Sequence, residues 1–423
     1  MSKTGRVVVT GMGTINPIGQ DLSTFWQNCC QGKSGIREIS KFAVPSNYSG
    51  IAGIVEDFDP VTRLPEIAFV ETLDRSTQFA LAASNEAITM SGLNNYNYDL
   101  TRCGVFLSTA IAQIDSMERE FLLQSAGGKN KIPILERPQP RTLSKFLFST
   151  TAKTLANCFG FQGGYAMIPT GCTGGLDAIG YAMSAVRSGE VDVAITGSTE
   201  APITPLVVAA FAKIGATSLR NEEPQRASRP FDIDRDGFVL AEGCGILIIE
   251  SLEHALDRGA NILAELAGYG SLNNCYHMTD IPADGVRIAD SAKIAMQDAK
   301  ITPEEIDTIN AHGSSTPQND LAETSAYWKL FGERAQSIPV TSLKSQIGHP
   351  LAASNSIEII ESIKTLETGI VPPTINLEKQ DSRCKLNVVG NVSREASTNC
   401  ILKTSSGFSG IHSSLIVRKY KES

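Results

Sequence analysis

Short runs rich in Val, Ile and Ala alternate along the chain with longer stretches whose apolar residues recur at helical spacing. This alternation constrains the fold more than any other feature. Arg6–Thr10, Cys103–Leu107, Val191–Thr196 and Ile246–Glu250 read as buried strands, and Arg75–Ser91 and Leu176–Ser188 as helices with small residues interspersed. Strands alternating with helices predict an α/β fold in which helices cover buried sheets. Linkers rich in Pro, Gly and Ser are absent, so one compact body is expected. Two echoes suggest duplication. Val7–Gly13 resembles Ala264–Gly270, and Thr170–Gly175 resembles Ser406–Ile411. Their order fits two related α/β units.

Charge and cysteine usage narrow the function classes. A formal net charge of −8 argues against nucleic acid as the main partner, while a local basic patch for an acidic protein stays open. Nine cysteines, scattered from Cys29 to Cys400, show no paired metal-ligand spacing, so no metal is expected. Lys3 and Arg6 precede only a short apolar stretch, and no apolar run approaches the roughly 20 residues of a bilayer span. A reduced cytoplasmic protein without a membrane segment is expected, in which a special cysteine is catalytic rather than bridged.

Three segments carry chemistry. In Ile168–Ala182, Pro169 and Gly171 make a sharp turn and Cys172 opens a helix. A cysteine at the positive end of a helix dipole is expected to have a lowered pKa and to be a nucleophile near neutral pH. A small buried cysteine in a Gly-rich turn fits the same pattern. His312 follows the apolar run that ends in Asn310-Ala311, and His349 lies in Ser342–Ala353, a small-residue turn leading into a helix. Neither histidine has a second ligand at metal spacing. Cysteine plus histidine also suits a cysteine hydrolase, and spacing does not choose between these chemistries. A nucleotide-binding reading of Gly11-Met12-Gly13 fails because Asn16 occupies the position of the third glycine.

Taken together these segments resemble the β-ketoacyl synthases, nearly end to end. Asn310-Ala311-His312-Gly313 and Lys344–His349 look like the two histidine motifs of that family, and Cys172 stands where its nucleophile belongs. Thr170–Asp177 and Glu200–Pro205 look closest to the catalytic ketosynthase subunit of type II polyketide synthases. Arg226–Asp232 and Gly237–Gly243 are shared more widely among ketosynthases. The resemblance implies a thiolase-like fold, two duplicated α/β halves forming a layered α-β-α-β-α body. Residues 1–255 would carry the nucleophile and residues 256–423 both histidines.

The resemblance also implies the reaction. Cys172 would accept an acyl chain from the phosphopantetheine arm of an acyl carrier protein, with no permanently bound cofactor. His312 and His349 would stabilise the enolate formed as malonyl-carrier decarboxylates, and that carbanion would attack the Cys172 thioester. The N–H groups of Cys172 and Phe408 would form the oxyanion hole. Lys344 and Glu323 match positions that support the histidines, Ser314 and Thr316 positions that bind the pantetheine arm, and Ile111 a residue lining the acyl pocket. Arg63 and Arg75 are candidates for the carrier-protein surface. The expected partner subunit is a chain-length factor, a sister chain lacking the cysteine. One departure stands in the gatekeeping loop: Ser409 replaces the first of two usual glycines, and His412 stands where the family has asparagine. The alternatives are a homodimeric fatty acid ketosynthase, a degradative thiolase, whose second cysteine near the C-terminus is Phe408 here, and a structural subunit whose cysteine is incidental.

Overall fold

The computed structural model describes residues 5–64, 66–67, 69–129 and 142–422. Eleven strands join one sheet: β1 (Val7–Ile15), β2 (Cys103–Ser108), β3 (Tyr165–Met167), β4 (Val193–Glu200), β5 (Gly243–Ser251), β6 (Ala264–Asn273), β7 (Thr308–Asn310), β8 (Pro339–Thr341), β9 (Asn387–Val388), β10 (Cys400–Ser406) and β11 (Ile411–Arg418). The helices that bear on the site are α1 (Arg75–Ser91), α2 (Thr150–Phe159), α3 (Gly174–Arg187), α4 (Pro205–Ile214), α5 (Val286–Ala299), α6 (Pro317–Phe331), α7 (Lys344–Ile347) and α8 (Ala353–Thr368).

The strand order is β9-β8-β7-β10-β11-β6-β1-β5-β4-β2-β3. From the β1/β6 junction outward, each side repeats one pattern. β1-β5-β4 are antiparallel and β4-β2-β3 parallel. β6-β11-β10 are antiparallel and β10-β7-β8 parallel. The chain is thus a duplicated α/β unit. Its first echo has a packing cause. A Cβ on Gly11 or Gly13 would lie 2.1 or 2.0 Å from an α1 carbonyl oxygen, and one on Gly268 or Gly270 2.2 or 2.4 Å from an α5 carbonyl oxygen. Each Gly-x-Gly strand lets its helix lie directly on the sheet.

The second echo does not follow the repeat. The Cys172 turn lies between β3 and α3, whereas Phe408 lies in the β10–β11 connection. The counterpart of the Cys172 turn is the stretch between β8 and α8, which carries His349. Three apolar clusters explain the layering. Leu176, Ile179 and Met183 of α3 meet Ile357, Ile360 and Ile363 of α8 between the two parts of the sheet. Helices α1 and α2 cover one outer face through Phe79, Leu81 and Leu155. Helices α5 and α6 cover the other through Ile288, Ala292 and Tyr327. Each fully buried Leu or Ile contributes about 1.5–3 kcal/mol. The resulting α-β-α-β-α body brings the N-termini of α3 and α8 together at its centre.

Candidate active site

Cys172 sits in a single tight turn, Gly171–Thr173, immediately before α3. A Cβ on Gly174 would fall 2.1 Å from Ser108 Oγ, and one on Gly175 2.6 Å from the Ala352 carbonyl oxygen. The two glycines therefore let the turn press between β2 and the start of α8. Asp177, in the first turn of α3, accepts hydrogen bonds from Thr173 Oγ1 (2.7 Å), Tyr269 OH (2.6 Å), Ser413 Oγ (2.5 Å) and the Thr170 hydroxyl. The Cys172 carbonyl accepts from Asn355 Nδ2 at 2.5 Å and Ser405 Oγ at 3.3 Å. Groups from both halves fix the nucleophile's backbone.

The backbone N–H groups of Cys172 and Phe408 both favour the thiolate form of Cys172. The expectation of a lowered pKa is corrected. Burial pushes the thiol up to about 11, outweighing the pull of Lys344 and of the two N–H groups. Desolvation of the charged form is the larger effect, and the helix start only moderates it. At rest Cys172 is a thiol.

His312 and His349 line one cavity of about 160 Å³ with Cys172 and Phe408. The two imidazole rings stand edge to face, their centroids 5.3 Å apart, and Phe238 packs at the same distance on His349. Burial holds both histidines well below the usual imidazole range, and Lys344 adds to it; His349 and Lys403 act further on His312. Both rings are therefore neutral near pH 7, each with one N–H to donate. Glu323 supports His312 through the backbone. It accepts from the N–H of His312 (2.6 Å) and of Gly313 (2.8 Å), from Tyr327 OH (2.6 Å) and from Thr404 Oγ1 (2.6 Å). Lys344 Nζ donates to Glu358 Oε1 at 2.6 Å, fully buried.

The other sequence candidates divide. Ser314 and Thr316 line the same cavity, their hydroxyls 2.9 Å apart, and Thr316 caps α6. Ile111 packs in the apolar cluster that includes Cys172 and Phe238, outside the cavity lining. Arg63 is exposed on another face, donating to the Gln20 carbonyl at 2.8 Å. Arg75 is not an open surface charge. Its guanidinium is bound to Glu242 at 2.9 Å and to the Val55 carbonyl at 2.7 Å, and it stacks on Phe79.

The Phe408 loop departs from regular geometry where the sequence does. Ser409 takes φ +71°, a left-handed conformation that costs a non-glycine residue of order 1 kcal/mol or more, and its N–H donates to the Met278 carbonyl at 2.6 Å. His412, which burial holds at about 4, is neutral. Its Nε2 accepts from Asn274 Nδ2 at 3.0 Å, so Nδ1–H donates to Ser406 Oγ at 2.9 Å. The loop is thereby tied to the 273–278 segment.

The family models for the β-ketoacyl synthase N-terminal and C-terminal domains match residues 4–255 and 263–378. The chain belongs to the β-ketoacyl synthase family. This ketosynthase is 39% identical over 417 residues to the tetracenomycin polyketide synthase ketoacyl synthase alpha subunit of Streptomyces glaucescens, covering 99% of this chain and 98% of that one. A solved structure of a type II PKS acyl-carrier protein in complex with its ketosynthase bound to the hexaketide superposes with TM-score 0.92 at 41% identity. That match covers 99% of this chain and 100% of the other. The ishigamide ketosynthase/chain length factor superposes with TM-score 0.89 at 30% identity, covering 99% and 100%. As a β-ketoacyl synthase, the enzyme is an acyltransferase that forms carbon–carbon bonds.

Sequence reading missed four groups that hold the ketosynthase site: Asp177, Asn355, Glu358 and Lys403. Asp177 had a signal, an acid in the first turn of a helix. Lys403 had another, a charge inside the otherwise uncharged strand Cys400–Ser406. Asn355 and Glu358 had none, because nothing local marks which polar residues of a helix face inward.

Proposed function

We propose that this ketosynthase is the catalytic subunit of a type II polyketide synthase, working in the reducing cytoplasm with a chain-length factor as its partner. The observation that carries the reading is one cavity holding Cys172, His312, His349 and Phe408. The carrier's phosphopantetheine thioester enters past Ser314 and Thr316. Cys172 sulfur attacks the acyl carbonyl, the N–H groups of Cys172 and Phe408 stabilise the oxyanion, and the pantetheine thiol leaves with the proton. A malonyl thioester then takes the arm's place. The neutral imidazoles of His312 and His349 donate to its thioester carbonyl, so the electron pair released with carbon dioxide is stabilised as an enolate. The enolate carbon attacks the Cys172 thioester, the carbon–sulfur bond breaks, and Cys172 leaves as a thiolate that takes a proton from solvent to return to the resting thiol. The product is a β-ketoacyl carrier two carbons longer.

Intact-mass measurement tests this. The chain, alone and co-expressed with its sister, is incubated with acyl-loaded carrier protein, with Cys172→Ala in parallel. An acyl-sized gain that vanishes in the variant and depends on the sister is expected. Equal gain without the sister favours the homodimeric fatty acid reading, and no gain in either preparation refutes the condensing role.

A further inference from the structure

Beneath the two histidines lies a buried charge cluster that the reaction as described does not use in full. Lys403, in the middle of β10, is completely buried, and its Nζ forms an ion pair with Glu358 Oε2 at 2.7 Å. The same ammonium donates to the Ala311 carbonyl at 3.0 Å and to Asn310 Oδ1 at 3.2 Å. Two of its N–H groups thus find carbonyl oxygens, and its charge faces the Glu358 carboxylate. Lys344 occupies the other oxygen of Glu358. Asn310 is held in turn by the Glu358 carbonyl (3.0 Å), Glu361 Oε2 (2.9 Å) and Ser362 Oγ (3.1 Å). One lysine therefore links the residues just before His312, the strand leading to Phe408, and α8.

We propose that Lys403 is a positioning residue for the decarboxylation step, fixing the His312 segment against α8 and supplying a second buried positive charge that keeps both imidazoles in their neutral, hydrogen-bond-donating form. This inference rests on the roles given above to His312 and His349. A buried lysine without function would be replaced at little loss by an apolar side chain, since desolvating an ammonium is costly. Here two lysines share one carboxylate. Most of the titratable groups around them carry no charge near pH 7. Glu361 on α8 is raised to about 8 by burial and by Glu358, so it is neutral near pH 7. Cys29, Cys172 and Tyr327 are held neutral by burial, as is His412. The Glu323 carboxylate on α6 accepts from the amides of His312 and Gly313 and also favours the charged form of Lys403, which burial lowers to about 8, so Lys403 is a cation at and below pH 7. Lys344 and Lys403 both act on both histidines.

The experiment follows two half-reactions of the full enzyme with its sister subunit: acyl transfer to Cys172 by intact mass, and decarboxylation of malonyl-carrier from about pH 4 to about pH 8. Losing a positive charge raises the pKa of both imidazoles, so in Lys403→Met the acid limb of decarboxylation moves up by about one pH unit. Below that limb the rate falls on the order of tenfold, while Cys172 acylation stays within about threefold. Lys403→Arg keeps the limb at its wild-type position. Glu358→Gln, which removes the shared negative charge, moves it down. An unmoved limb in Lys403→Met, or equal loss of both half-reactions, overturns the proposal. If Lys403→Met does not fold, Lys403→Gln, which keeps an N–H donor without the charge, decides in the same way, an unmoved limb again overturning it. His312→Ala separates the premise from the inference: decarboxylation that survives it refutes the histidine roles, not the part given to Lys403.

Discussion

The sulfur of Cys172 lies where two backbone N–H groups and Lys344 favour negative charge and where burial opposes it more strongly. Such a thiol is protonated near pH 7, and the reactive fraction grows with pH. Alkylation of Cys172 by iodoacetamide, followed by mass, should therefore rise about tenfold per pH unit above about pH 7 and level off only near its pKa; a plateau already reached by about pH 8 would contradict this. Glu323 is the residue on which His312 most depends for placement. Glu323→Ala strips four close donors of their acceptor in the buried interior. An unpaired buried donor costs about 1–3 kcal/mol, so the loss in urea unfolding should exceed about 3 kcal/mol. A loss below about 1 kcal/mol would mean that water replaces the carboxylate.

At the scale of elements, helix-on-strand packing and the Phe408 loop set the site's geometry. Gly268→Ala places a methyl group 2.2 Å from the Ala295 carbonyl oxygen, so α5 must shift outward. The expected cost is about 1–3 kcal/mol or more, read as a lower melting temperature, whereas Gly5→Ala meets nothing within 4 Å and should be silent. His412 links the loop to pH. Burial lowers its pKa to about 4 from the ordinary imidazole value of 6.5. Between those values the unfolded chain binds the proton and the folded chain does not. Its contribution is thus complete above about pH 6.5 and is lost as pH falls toward about 4. His412→Asn should flatten the fall in the urea midpoint between about pH 7 and pH 5 relative to wild type. An unchanged slope would show that His412 is not buried as a neutral ring.

At the scale of the whole molecule, neither half contains the site. Cys172 comes from the first unit; His312, His349 and Phe408 come from the second. The duplicated fold closes the two units on each other through α3 and α8, which makes the centre of the body the one place where the motifs meet. Carrier recognition belongs to the outer surface. An acidic carrier approaching a chain of net charge −8 needs a local basic contact, and exposed Arg63 remains available for it while Arg75 is committed to Glu242. Arg63→Glu should raise KM for the carrier with kcat unchanged, an effect that shrinks at high salt. A fall in kcat alone would place Arg63 elsewhere in the cycle.

Much of this was legible before folding. The α/β class, helix α1 to the residue, the Gly-x-Gly echo and the three motifs around Cys172, His312 and His349 follow from local patterns, because periodicity, turn residues and short-range spacing are properties of neighbouring positions. The chemistry of those residues was not local. Whether Cys172 ionises depends on how completely remote segments exclude water from it. Whether a cationic side chain is solvated or buried, as Arg63 and Lys403 show, depends on which strands close over it. Sequence determined which groups the protein owns and the order in which they come. Tertiary structure alone decided their charge states and partners, because desolvation and long-range pairing arise only when residues hundreds of positions apart share one interior.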